Sequence, residues 1–191
     1  RSLSKLVYLK TAAITFDFKA DLMNAPDDSE EKEFHPPINL EEIDLCFINC
    51  DDLILESLPL ILKNLLFEEK EILKRFSFIL SGCERGICEQ SFEILRKQVH
   101  KMTLLKDLTL AFENMTQFPQ ANQLLIDFPG NLEKLALSFM ATVPQQGLSL
   151  QEYIKHIAQQ VPELKSLTVD WSHTPGTFSS WPNVFGTCLC K

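Results

Sequence analysis

Six glycines in 191 residues leave little room for the backbone cradles that nucleotide phosphates require. Neither a phosphate-binding glycine loop nor a dinucleotide fingerprint occurs among them. Cations are short as well: 18 Lys and Arg stand against 26 Asp and Glu, a formal net charge of −8 with a pI near 5.0. That balance argues against nucleic acid as a ligand, because phosphate binding needs clustered Lys and Arg. No apolar run approaches the roughly 18 to 20 residues needed to span a bilayer, so membrane insertion is not expected. The densest stretch, Leu53 to Phe67, is broken by Glu56, Pro59, Lys63 and Asn64 and reads as a buried amphipathic element. Six Cys are too few for a disulfide-held secreted domain, and a reducing, intracellular and cytoplasmic setting is expected. The chain opens at Arg1 with neither an initiator Met nor a signal-peptide pattern, as expected of a processed chain or of part of something longer. Catalytic groupings are missing too. No G-x-S-x-G is present, no Ser, His and acid set recurs, and His35, His100, His156 and His173 fall in different segments without ligand spacing.

What the chain does have is repetition. An apolar triplet at alternating positions returns six times, usually with a leucine three residues ahead. The copies are Ile14-x-Phe16-x-Phe18, Leu40-x-x-Ile43-x-Leu45-x-Phe47 and Leu73-x-x-Phe76-x-Phe78-x-Leu80. Leu105-x-x-Leu108-x-Leu110-x-Phe112, Leu132-x-x-Leu135-x-Leu137-x-Phe139 and Leu164-x-x-Leu167-x-Val169-x-Trp171 follow. From last residue to last residue the spacings are 29, 33, 32, 27 and 32. Near-constant intervals of this size mark a chain that stacks one unit repeatedly. The period of two predicts a half-buried strand in each unit. Between strands the period becomes helical. Asp51 and Asp52 are placed to cap a helix carrying Leu53, Leu55, Leu58, Leu62 and Leu65, and a second helix runs over Cys88 to Met102 with Phe92, Leu95, Val99 and Met102 on one face. A third, near 149 to 161, opens with the capping box Ser149-x-x-Glu152 and buries Tyr153, Ile157 and Val161. Pro119 and Pro129 limit the 116 to 128 connection to a turn or two. Strand, loop and helix repeated in that order require parallel strands with the helices on one side.

The Leu-x-x-Leu-x-Leu openings resemble the leucine-rich repeat family, with long helix-containing units like those of ribonuclease-inhibitor-type or F-box-type members. The resemblance covers about residues 3 to 175. It implies an α/β solenoid with a curved parallel sheet on the concave face and helices on the convex face. The expected organisation is one array of about six units over 1–175, with 176–191 as a C-terminal extension or cap. The family's Asn or Cys beyond the third leucine is replaced by Ile48, Ser81, Glu113, Met140 and Ser172, with Asn49 and Asn114 one residue later, which makes this an irregular member. Residues 21–37, rich in Asp, Glu and Pro, read as a solvated acidic loop where a helix would otherwise stand.

The register also weighs the cysteines. Cys46-x3-Cys50, Cys83-x4-Cys88 and Cys188-x-Cys190 have zinc-like spacing. Yet Cys50 and Cys83 each fall ten residues after their leading leucines, in the slot that Met115 fills after Leu105, and are expected to be buried, metal-free thiols. The terminal Cys188-Leu189-Cys190-Lys191 ends in a residue unsuited to prenylation.

Outward strand positions form the expected working surface: Thr15, Asp17, Asp44, Cys46, Ser77, Ile79, Thr109, Ala111, Ala136, Ser138, Thr168 and Asp170. The strip is small, neutral to acidic and without Lys or Arg. Small side chains permit close approach of a partner, and Asp17, Asp44 and Asp170 favour basic groups. Partner-binding residues are therefore expected among Asp17, Asp44, Ser77, Thr109, Ser138, Thr168 and Asp170. No catalytic, cofactor, metal or small-molecule site is expected. The function expected is a non-catalytic protein–protein interaction scaffold or a subunit of a larger assembly. The resemblance also implies two alternatives. One is a ubiquitin-ligase substrate receptor of the F-box type. The other is a Ran-type GTPase-activating repeat protein, for which Arg75 and Arg85 are the central candidate arginines.

Overall fold

Alternation of apolar and polar residues reappears directly in the burial of the strands. The computed structural model describes residues 11–17, 40–50, 52–66, 72–83, 87–115, 127–139, 150–170 and 186–188. In β2 (Glu42–Ile48) Ile43, Leu45 and Phe47 are buried, while Glu42, Asp44, Cys46 and Ile48 between them are half-buried. The same alternation runs through β5 (Lys134–Ser138) and β6 (Ser166–Asp170), and with one extra buried residue each, Ser77 and Ala111, through β3 (Arg75–Ser81) and β4 (Asp107–Glu113). With β1 (Thr11–Asp17) and β7 (Gly186–Cys188), the strands form a single sheet in chain order. Strands β1 to β6 are parallel, and β7 pairs antiparallel with β6.

The described crossovers carry helices. Helix α1 (Asp52–Leu66) buries Leu55, Leu58, Leu62 and Leu66, a spacing of three and four that lines one helical face. It continues through Pro59, which lacks an N–H and so leaves the Leu55 carbonyl without its usual helical donor. Helix α2 (Glu89–Lys101) buries Ser91, Phe92, Leu95 and Val99, and its N-cap is Cys88, whose Sγ accepts from the Ser91 N–H at 3.4 Å. Helix α3 (Leu150–Gln160) buries Ile157 and is followed by buried Val161. These helical faces and the inward strand residues belong to one apolar core. Within it, Phe47–Phe78, Phe78–Phe112 and Phe112–Phe139 stand at centroid separations of 5.8, 5.9 and 6.1 Å, and Phe92 reaches Phe112 at 5.8 Å. Those distances lie within the favourable range for aromatic pairs.

Register corrects one expectation. Phe16 was expected in the row of Leu45, Phe78, Leu110, Leu137 and Val169. The ladder instead pairs Ile14 with Leu45 and Phe16 with Phe47, so the row is Ile14, Leu45, Phe78, Leu110, Leu137 and Val169. Ala12, too small to stand out as a core residue, takes the place opposite Ile43. The first interval, Phe16 to Phe47, is then 47 − 16 = 31 residues, closer to its neighbours. The shift is two residues, so no strand face is inverted.

After β2, β3 and β4 the chain bends through the left-handed region at equivalent positions: Asn49 (φ 53°), Gly82 (φ 70°) and Asn114 (φ 54°). Asn tolerates that conformation better than most residues, and Gly adopts it freely. Each bend is followed by a buried residue: Cys50, Cys83 and Met115. At the other strand end one carbonyl accepts two N–H groups from the next unit. Glu41 O takes Lys74 and Arg75, Lys74 O takes Lys106 and Asp107, Lys106 O takes Glu133 and Lys134, and Glu133 O takes Lys165 and Ser166. Residues 21–37, Ser149 and the Glu152 side chain of the capping box, and most of 176–191 lie outside the described residues. From that last segment only β7 is described.

Candidate functional site

The sheet face opposite the helices is built in rows, one residue from each strand. The central row is Ala13, Asp44, Ser77, Thr109, Ala136 and Thr168, and the next is Thr15, Cys46, Ile79, Ala111, Ser138 and Asp170. Of the residues expected to bind a partner, Asp44, Thr109, Ser138 and Asp170 are half-buried, and Thr168 is exposed. Ser77, at 7% exposure, is the one covered by its neighbours. Asp17 pairs with Ile48 at the strand end; its side chain lies outside the described residues. The register thus brings Asp44, Ser77, Thr109 and Thr168 into one row and Ser138 and Asp170 into the adjoining one.

The face also holds cations that the expected strip lacked. The strands begin earlier than their apolar triplets, adding the row Thr11, Glu42, Arg75, Asp107, Lys134 and Ser166. Arg75 lies 3.5 Å from Asp44 Oδ1 and 3.9 Å from Glu42, and Lys134 lies 4.0 Å from Asp107. Asp44 Oδ1 is buried and makes no hydrogen bond, so the Arg75 contact is an ion pair of poor directional geometry. Of the two arginines noted in the sequence, Arg75 is thus engaged by carboxylates, and Arg85 lies outside the described residues.

Toward the strand ends the face turns acidic. Ser138 Oγ donates to Glu113 Oε1 at 3.0 Å, and Asp170 lies beside Ser138 in the register. Burial, and then the Glu113 charge, push the Cys46 thiol above its ordinary value, so Cys46 is a neutral thiol at pH 7.

A second charge ladder runs just ahead of the strands. Lys74 Nζ donates to Glu41 at 2.7 Å, and Glu133 is held between Lys106 at 2.8 Å and Lys165 at 2.6 Å. The hydrogen bond from Lys106, then that from Lys165, draw the Glu133 carboxyl down to about 2. The sequence signal was present: Glu41, Lys74, Lys106, Glu133 and Lys165 occupy the residue before each of the strands β2 to β6. It becomes readable only once the strand starts are aligned.

Cys50 and Cys83 are buried thiols, at 5% and 0% exposure, in the slot expected for them. Among the described residues no three His, Cys, Asp or Glu side chains cluster as metal ligands, and no helix is long and apolar enough to cross a membrane. His100 is exposed on α2, and His156 on α3 is half-buried with an unbonded, buried Nε2. Comparison with protein-family models, curated proteins and solved structures finds no match for this chain.

Proposed function

We propose that the chain is a non-catalytic interaction scaffold, a leucine-rich-repeat-like arc whose strand face receives a protein partner. The observation that carries this reading is asymmetry of cover. All-parallel sheets ordinarily have helices on both faces. Here the described helices pack on one face, and the other presents Asp44, Thr109, Ala136, Ser138, Thr168 and Asp170 only part-covered or exposed. Stacked-repeat architectures keep such a sheet open and use it for recognition. Chain-order pairing, a strand period near 32 residues and equivalent bends at Asn49, Gly82 and Asn114 support the arc. The partner surface that fits is neutral to basic where it meets Glu113 and Asp170. A photo-crosslinking side chain at Thr168, compared with one at Lys155 on α3, tests the reading. Crosslinks formed from position 168 and absent from position 155 are expected. Capture from the helix side alone overturns it.

A further inference from the structure

The stacked bends place two thiols together. The Asn49 N–H donates to Ser81 O at 2.8 Å, extending the β2–β3 ladder past its last strand pair, Ile48 with Ser81. Asn49 Oδ1 lies 2.7 Å from where a Cβ on Gly82 would stand, so the two bends are in direct contact. The next residues are Cys50 and Cys83, both buried and both thiols, with Cys83 Sγ donating to Ser81 O at 3.6 Å. Neighbouring strands lie about 4.8 Å apart, and disulfides form across Cα separations of about 4.4 to 6.8 Å. Neither thiol therefore has to cross the core to meet the other.

We propose that Cys50 and Cys83 form an oxidation site, a dithiol that a hydroperoxide converts to a disulfide joining the second and third repeats. The Cys83 sulfur attacks the peroxide oxygen, the O–O bond breaks, and with its proton passed on the leaving oxygen departs as water, giving a sulfenic acid. The Cys50 sulfur then attacks the Cys83 sulfur, the S–O bond breaks, and the second water carries away the Cys50 proton. Two thiols are oxidised by two electrons, and one hydrogen peroxide is reduced to two waters. Hydrogen bonding from the Cys50 side chain, joined by its backbone, outweighs burial and holds the Cys83 thiol below its ordinary value, which favours it as first nucleophile. Burial of both sulfurs makes the reaction slow, paced by local opening of the bend. The product closes a loop of 83 − 50 + 1 = 34 residues, restricting the unfolded chain.

The test exposes the reduced full chain to hydrogen peroxide, followed by non-reducing digestion and tandem mass spectrometry. A link between Cys50 and Cys83, two hydrogens lighter than the separate peptides, is expected in wild type and in Cys46→Ser. It is absent from Cys50→Ala, where Cys83 is instead trapped as sulfenic acid by dimedone. The linked protein melts at a higher temperature than the reduced one, and the difference disappears on reduction. Recovery of both thiols unmodified after prolonged peroxide overturns the proposal. So does predominant linkage through any other cysteine while circular dichroism remains native.

Discussion

Gly82 carries two demands that no other residue meets at once. Its φ of 70° is in the left-handed region, and an added Cβ would lie 2.7 Å from Asn49 Oδ1. Gly82→Ala is therefore expected to lower stability by about 1 to 3 kcal/mol, read as a shift of the urea midpoint at constant slope. Asn49→Gly removes the clash but not the φ penalty, so the double variant should recover only part of the loss; full additivity would mean that the two bends do not touch. In the sequence Asn49 and Asn114 recur two residues after the apolar triplets, for no reason visible there. Their φ values supply the reason, and Gly82 belongs to the same set although it shares no side chain with them. Glu133 gives a second test. Its carboxyl is lowered, so the Lys106 and Lys165 contacts stabilise the fold above the ordinary carboxyl range, and that contribution is lost as pH falls through about 2. NMR titration should place its midpoint near that value, and Lys106→Met should move it upward. An unchanged midpoint would assign the shift to another neighbour.

At the scale of elements, the inward strand rows were readable because large apolar residues recur at period two over leading leucines. Leu110 sits at the middle of the central inward row with no exposed surface. Leu110→Ala is expected to cost about 2 to 5 kcal/mol, since the stacked rows on either side restrict collapse of the cavity. Thr109→Ala, one residue away on the open face, should change stability far less; equal losses in urea titrations would contradict the assigned faces. Weak alternation hides the register of β1 in the sequence: Ala12, opposite Ile43, carries little apolar signal beside Phe18, so Ile14, Phe16 and Phe18 stand out in place of Ala12, Ile14 and Phe16. Helix α1 was legible from its leucines, and its buried face runs over Leu55, Leu58, Leu62 and Leu66 because the helical period keeps its phase through Pro59. The open-face rows were legible as a list of small residues. Arg75 and Lys134 were not, because a charged residue at the start of a strand leaves no mark in an apolar pattern.

For the whole molecule, the charges on the open face decide what surface could dock there. Asp44 lies beside Arg75, so its charge is partly answered within the chain. Two further carboxylates, Glu113 and Asp170, stand at the far end of the rows near Ser138 and exposed Thr168. A partner with basic groups should be held there, and Thr168→Lys should oppose it without disturbing the core, because exposed substitutions usually change stability by less than about 0.5 kcal/mol. Partner capture by this variant is expected to fall, and to fall more at low salt than at high salt, since the Debye length shrinks from about 30 Å at 0.01 M to about 3 Å at 1 M. Asp44→Lys is the informative contrast. It places a cation against Arg75 and breaks the ion pair, so it perturbs the face locally before any partner arrives. A smaller loss of capture for Thr168→Lys than for Asp44→Lys would move the contact toward the strand starts, where Glu42, Asp107 and Lys134 lie. Equal capture by wild type and both variants at every salt concentration would take the partner off this face altogether.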